Sequence, residues 1–195
     1  MAKEYTHYYS DPHFGHKGVC EFLRNDGVTK MRPWDSYEEM DDELVYRYNQ
    51  QVGPKDLVWF AGDVVINRRA LPTLERLNGR KKLVAGNHDI FKLEDYMKYF
   101  EDIKGVYVNT ASGFVLSHVP LHPSCISQRW RVNVHGHTHY HSMNSPLHFC
   151  VCVEQIDYTP VEHHDMMNRI KAHRLSFGVD DDAPREEPVT EEKPL

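Results

Sequence analysis

The sequence has no run of 18 apolar residues, so no membrane-spanning helix is expected from it. Its opening, Met1-Ala2-Lys3-Glu4-Tyr5, lacks the apolar core of a secretion signal. The four cysteines (Cys20, Cys125, Cys150, Cys152) have neither disulfide-framework nor zinc-finger spacing. Cys150 and Cys152 alternate with Val151 and Val153, which reads as small hydrophobes sharing one strand face. These absences make the cytoplasm the expected compartment. No internal repeat is visible, and there is no excess of basic residues. The net charge is −6, and the stretch from Gly178 to Leu195 alone holds seven acids against Arg185 and Lys193. A near-neutral body argues against an extended surface for duplex nucleic acid. Small anionic substrates are not excluded, because bound dications would make a site locally positive.

What is present suits one soluble domain. The chain has 195 residues, 40% hydrophobic and 27% charged, enough to bury a real core. We expect a domain over residues 1–177 and an acidic, Pro-containing tail over 178–195 that lacks the apolar content to fold. Fourteen histidines are many for this length, and seven of them fall between His118 and His148.

The first half alternates strand and helix signals. Tyr5 to Ser10 reads as a strand broken at Asp11-Pro12. A short helix follows near His16 to Arg24, then a polar loop from Gly27 to Trp34. Ser36-Tyr37-Glu38-Glu39 opens a helix over 37–52 with a capping box, and Gly53-Pro54 stops it. Leu57 to Ala61 and Lys82 to Ala85 read as buried strands. Ala70 to Leu77 reads as a helix between them, and the basic run Arg80-Lys81-Lys82 as a solvated turn. Ile90 to Phe100 is aromatic and helical in part. The second half is β-rich, with strand signals at 106–108, 114–116, 132–134, 149–153 and 156–158. A closing helix is expected near Pro160 to Ile170. Two sheets packed face to face with helices outside would satisfy both halves, an α/β (α+β) class.

Short polar motifs sit at the ends of these strands. They are Asp11-Pro12-His13, Gly62-Asp63, Gly86-Asn87-His88-Asp89, Ser117-His118 and Gly136-His137-Thr138-His139. Singly, each has an ordinary reading as a turn, a helix cap or a solvated histidine. Asp, Asn and His without Cys suit borderline-to-hard divalent metals used in hydrolysis. Wide dispersal and missing cysteines disfavour a structural zinc site.

In this order, the five motifs resemble the calcineurin-like metallophosphoesterase superfamily over residues 5–153. Ser10-Asp11-Pro12-His13-Phe14-Gly15-His16 is further similar to its small bacterial and phage-type phosphoesterases. The resemblance implies a four-layer α/β/β/α sandwich of two mixed sheets flanked by helices. It implies one metal on Asp11, His13, Asp63 and His139, and a second on Asp63, Asn87, His118 and His137, with Asp63 bridging. Mn²⁺ leads the candidate ions, and Fe²⁺, Zn²⁺, Ni²⁺ and Co²⁺ also fit. It makes His88 the catalytic imidazole and Asp89 the group that orients it. The implied activity is hydrolysis of a phosphate ester, with a phosphodiester of cyclic-nucleotide or nucleic-acid type preferred, through a hydroxide shared by the metals. The alternatives are a phosphomonoesterase on nucleotides or phosphoproteins, and a non-catalytic metal-binding scaffold of the same fold.

Four further residues are candidates for a place behind the ligands or against the substrate. His16 can reach the site or cap the next helix. Asn49 lies on the inner face of its helix. Arg129 and Arg131 flank Trp130 and can bind phosphate and stack a base, or simply be solvated.

Overall fold

The computed structural model describes residues 3–126 and 129–182. Two mixed sheets make up its centre. The first runs in the order β4 (Asp102–Lys104), β3 (Arg80–Val84), β2 (Leu57–Phe60), β1 (Thr6–Tyr9) and β9 (Val161–Glu162). The second runs β5 (Val106–Asn109), β6 (Phe114–Ser117), β7 (Val132–His135) and β8 (His148–Cys150). Strands β1 to β4 are parallel and β9 is antiparallel to β1; β6, β7 and β8 are parallel and β5 is antiparallel to β6. The sheets meet through aromatic pairs. Trp59 of β2 stacks on Tyr107 of β5 with centroids 4.0 Å apart, and Tyr8 of β1 meets Phe114 of β6 edge-on at 5.6 Å. Such pairs prefer offset or edge-on geometry and add to the hydrophobic gain of burial.

Helix α1 (Tyr37–Gln51) covers the first sheet. Ser36 caps it by accepting from the Glu39 N–H, as the capping box predicts. Its buried stripe is Met40, Leu44, Val45 and Tyr48, and Tyr48 packs on Tyr9 and Phe60. A single helical turn, α2 (Leu93–Tyr96), follows β3. Helix α3 (His163–Ser176) begins beside β1 and β9 and reaches Phe149 of β8 with His173. The result is the expected α/β/β/α sandwich.

Several local expectations are corrected. Arg68–Arg76 is a 3₁₀ helix, not an α-helix; Pro72 inside it has no N–H to donate to the preceding turn. Arg80, Lys81 and Lys82 lie in β3, where Lys82 sits over the Trp59 ring and Arg80 pairs with Glu4 and Glu101. Residues 156–158 form a turn with Asp157 and Tyr158 at positive φ. The loop from Gly27 to Trp34 is not simply polar, for it buries Met31, Arg32 and Trp34. Strands β4 and β9 gave no signal because they are only three and two residues long. Of the acidic tail, residues 178–182 dock on α3: Asp181 pairs with Arg174 at 2.9 Å and Asp182 with Lys171. Beyond Asp182 the tail lies outside the described residues.

Candidate metal centre

The five Asp/Asn/His motifs lie at or just past the C-terminal ends of parallel strands, where open α/β sheets place their ligand sites. The pairing of β1 with β2 continues beyond both strands. Asp11 N donates to Gly62 O at 3.1 Å and His13 N to Asp63 O at 3.2 Å, so the two acidic loops run side by side. The second sheet joins them from across the sandwich. Ser10 bridges to Cys152, Gly136 N donates to His118 O at 2.9 Å, and His137 N donates to Asp11 Oδ2 at 2.9 Å.

The approach is too close for side chains on the turn residues. A Cβ on Gly136 would lie 2.1 Å from Ser10 Oγ, and one on Gly86 would lie 2.2 Å from Asp63 Oδ1. Glycine is therefore a steric requirement at both positions.

Backbone strain marks the same residues. Among the described residues, seven other than glycine have positive φ, and five are candidate ligands: Asp11, His13, Asp63, His137 and His139. Each such conformation costs about 1 kcal/mol or more and persists only where surrounding structure enforces it.

The side chains converge in two triads. Asp11, His13 and His139 offer ligand atoms within 4.8 Å of one another, and so do Asp63, His118 and His137. Each carboxylate is held by one oxygen and presents the other. Asp11 Oδ2 accepts from Ser10 Oγ and the His137 N–H, leaving Oδ1 toward His13 at 3.6 Å and His139 at 4.0 Å. Asp63 Oδ1 accepts from the His88 N–H at 2.8 Å. Its Oδ2 faces both triads, 3.6 Å from His13 Nε2 and 3.3 Å from His118 Nε2. Asn87 Oδ1 lies 2.8 Å from the same His118 nitrogen.

The imidazoles are oriented from behind. Ala61 O can only accept, so His118 Nδ1 donates to it at 2.8 Å and Nε2 turns inward. His139 Nδ1 faces Glu154 Oε1 at 3.1 Å, which leaves its Nε2 for the centre. A carboxylate or carbonyl behind a histidine is the usual support of a metal-binding imidazole.

A cation fits the demands of these groups. Asp11 Oδ1 and both His13 ring nitrogens are buried without a hydrogen-bond partner among the described residues. His118 Nε2 and His137 Nδ1 sit only 3.2 Å apart. The charges agree. Burial opposes ionisation of Asp11, yet His13, His118 and His139 hold its carboxyl well below the usual range. Burial likewise disfavours the His118 cation, but Asp63 and Asp11 outweigh it and lift that imidazole to about 9. Two anionic carboxylates are thus drawing positive charge into the pocket. The two His/Asp clusters can bind metal ions, and all seven predicted ligands are together.

His88 is exposed on the rim, its ring 5.4 Å from that of His13. Asp89 does not orient it. Asp89 Oδ2 accepts from the Asp63 and Gly86 N–H groups and Oδ1 from Val64, so this acid clamps two ligand loops together. Its burial raises the carboxyl pKa. His16 makes no capping bond; its ring lies 5.7 Å from that of His13 at the edge of the centre. Burial, with His13 beside it, lowers His16 to about 4.

Asn49 and the arginine pair lie elsewhere. Asn49 donates to Arg76 O and accepts from Asn78 N, tying α1 to the loop before β3. Arg129 and Arg131 precede β7, one strand length (roughly 13 Å) from the ligands at its other end. Arg131 N donates to Gly113 O, so the pair belongs to the β5–β6 turn.

Two residues behind the centre were not among those predicted from the sequence. Arg32 is completely buried, donating to Pro12 O and Asp11 O at 2.6 Å and to Glu154 at 2.8 Å. It therefore holds the first ligand loop and, through Glu154, His139. Nothing in Met31-Arg32-Pro33 distinguishes this arginine from a solvated one. Glu154 does carry a hint, as a lone acid directly after the apolar run ending at Val153.

No family model matches the chain. An uncharacterized protein of Methanocaldococcus jannaschii is 29% identical over 193 residues, covering 93% of this chain and 99% of that one. A crystal structure of a protein of unknown function from Aquifex aeolicus superposes with a TM-score of 0.67 at 20% identity, over 86% of this chain and all of that one, and shares the fold. The Gene 66 protein of Mycobacterium phage L5 is 30% identical over 167 residues, 69% of this chain and 77% of the phage protein, and the chain belongs to that protein's family.

Proposed function

We propose that the protein is a divalent-metal-dependent phosphoesterase of the calcineurin-like type, acting on phosphodiesters. One observation carries the reading: two His/Asp triads face a common carboxylate oxygen, Asp63 Oδ2, beside an exposed imidazole that belongs to neither triad. Asp11, His13, Asp63 and His139 would hold one ion, and Asp63, Asn87, His118 and His137 the other. Bound there, divalent ions supply Lewis acidity, lowering the pKa of water and neutralising charge on phosphate oxygens.

The chain's own groups supply the rest. Ser10, Asp89, Ala61 and Glu154 fix the ligand atoms before substrate arrives, which lowers the reorganisation needed during reaction. His88, protonated, donates to the departing oxygen as the phosphorus–oxygen bond breaks. Mn²⁺ is the first ion to test, and a cytoplasmic setting suits four free cysteines.

The test is to load the protein with Mn²⁺ and compare mono- and bis-p-nitrophenyl phosphate, 2′,3′- and 3′,5′-cyclic nucleotides and short oligonucleotides. Turnover of a diester that chelation abolishes supports the proposal. Faster turnover of the monoester than of every diester overturns the diester preference. No turnover with any of several divalent ions overturns the enzyme reading and favours a metal-binding scaffold.

A further inference from the structure

Neighbouring aromatic rings lead out of the metal centre. His139 stacks on His13 with centroids 5.2 Å apart, His16 lies 5.7 Å from His13, and Phe22 lies 5.7 Å from His16. The row ends on a face that is open to solvent, for Phe22 is 50% exposed. A second aromatic meets the residues that follow Phe22. Tyr140 directly follows His139, its hydroxyl donates to Asn25 at 2.9 Å, and the Arg24 guanidinium sits over its ring at 5.4 Å.

Phe22, Arg24 and Asn25 belong to a small hairpin. Arg24 N donates to Thr29 O and Met31 N to Phe22 O, and Asp26 ties its tip by accepting from Val28 and Thr29. The buried Arg32 anchors its base. An exposed aromatic is therefore held in place beside the reaction centre. Among the described residues Phe22 is not part of the hydrophobic core, and exposing it costs hydrophobic free energy.

His88 approaches His13 from a different neighbour set, its N–H donating to the Asp63 carboxylate. In the proposed reaction that side receives the leaving oxygen. The hairpin wall is left for the group that stays on phosphorus. We propose that this group is a nucleoside, its base stacked on Phe22 and its polar edge or further phosphate met by Arg24 and Asn25. The inference rests on the phosphoesterase reading. A flat aromatic face joined to a guanidinium and an amide suits a base, because every base has a π-face and hydrogen-bonding edges. The reaction then forms one bond from water oxygen to phosphorus and breaks the bond to the leaving oxygen. The leaving oxygen takes a proton, and the products are a nucleoside monophosphate and an alcohol.

Two substrates with one leaving group test this: thymidine 5′-(p-nitrophenyl phosphate) and methyl p-nitrophenyl phosphate. The Mn²⁺-loaded protein is expected to prefer the thymidine ester in kcat/KM. Phe22→Ala should shrink that preference by roughly five- to a hundredfold, the range for losing one base–aromatic stack. Val28→Ala, at the hairpin tip, should leave the preference intact. Calorimetry of thymidine 5′-monophosphate against methyl phosphate gives a readout free of turnover, and Phe22→Ala should weaken only the nucleotide. Equal kcat/KM for the two esters, or equal losses on both in Phe22→Ala, overturns the inference while leaving the phosphoesterase reading standing. If neither ester is hydrolysed, that reading fails, and the calorimetric comparison alone decides whether the wall binds a nucleotide. A short single-stranded oligonucleotide and a mononucleotide diester then separate the two sources of the nucleoside; a preference for either supports the inference.

Discussion

The two ligand triads are built from the same residue types but backed by different material. Asp11, His13 and His139 are supported by a buried ion pair, Arg32 with Glu154, that grips both the Asp11 loop and the His139 ring. Asp63, His118 and His137 rest mainly on backbone groups, Ala61 O behind His118 and the His88 N–H on Asp63 Oδ1, with the Asp89 carboxylate clamping the Asp63 loop. Their openness also differs. His13 is 3% exposed, whereas His137 is open to solvent. An ion-pair scaffold is costly to break, because removing one partner strands a charge in the interior. Backbone groups cannot be mutated away, so the second triad is vulnerable chiefly through its own ligands and Asp89.

Removing Asp63 should erase the comparison, since its Oδ2 faces both triads. Asp63→Ala is expected to bind far fewer than two ions by elemental analysis and to lose turnover altogether. His88 tests the opposite case. His88→Ala should retain both ions yet cut turnover by roughly 10²-fold or more; full activity would remove it from the mechanism. Glu154→Gln should separate the triads. Metal affinity at the first is expected to fall by roughly 10- to 100-fold while the second is spared, seen as two resolved binding events in a titration. The same change strands Arg32, and the melting temperature should drop with it.

The smallest effect concerns the loop that carries the first triad. Asp41 accepts from the Gly15 N–H at 2.9 Å, and its burial raises the carboxyl to about 7. An acid whose folded pKa exceeds its unfolded value of 3.8 favours the native state most when protonated. Its contribution is therefore full at low pH and is lost as pH rises from about 4 to about 7, by up to ~1.4 kcal/mol per pH unit. Asp41→Asn should flatten that slope in denaturant unfolding measured across this window. An unchanged slope would show that the carboxyl titrates normally.

The candidate ligands were legible because their chemistry and spacing are local. A glycine, a carboxylate or amide and a histidine at the end of an apolar run mark a strand terminus wherever they occur, and the structure gathers all seven. Roles that depend on direction were not legible. Asp89 adjoins His88 in sequence, but both its oxygens turn away to the Asp63, Val64 and Gly86 amides. Arg129 with Trp130 had the composition of a stacking site, and β7 carries the pair to the wrong end of the sheet. Arg24 and Tyr140 have that composition too, 116 positions apart, and only folding brings them together beside His139.

By itself, then, the sequence determined the layered α/β architecture and the strand-end position of the motifs, and the order of those motifs named the candidate ligands. These follow from periodicity and from residue chemistry, which are properties of short segments. The tertiary structure alone decided that Asp63 faces both triads, that Arg32 and Glu154 stand behind one of them, and that Asp89 clamps loops instead of steering His88. Those facts depend on which oxygen of a carboxylate is already occupied by a distant amide. No pattern along the chain encodes that; it is settled only when the two sheets close on each other.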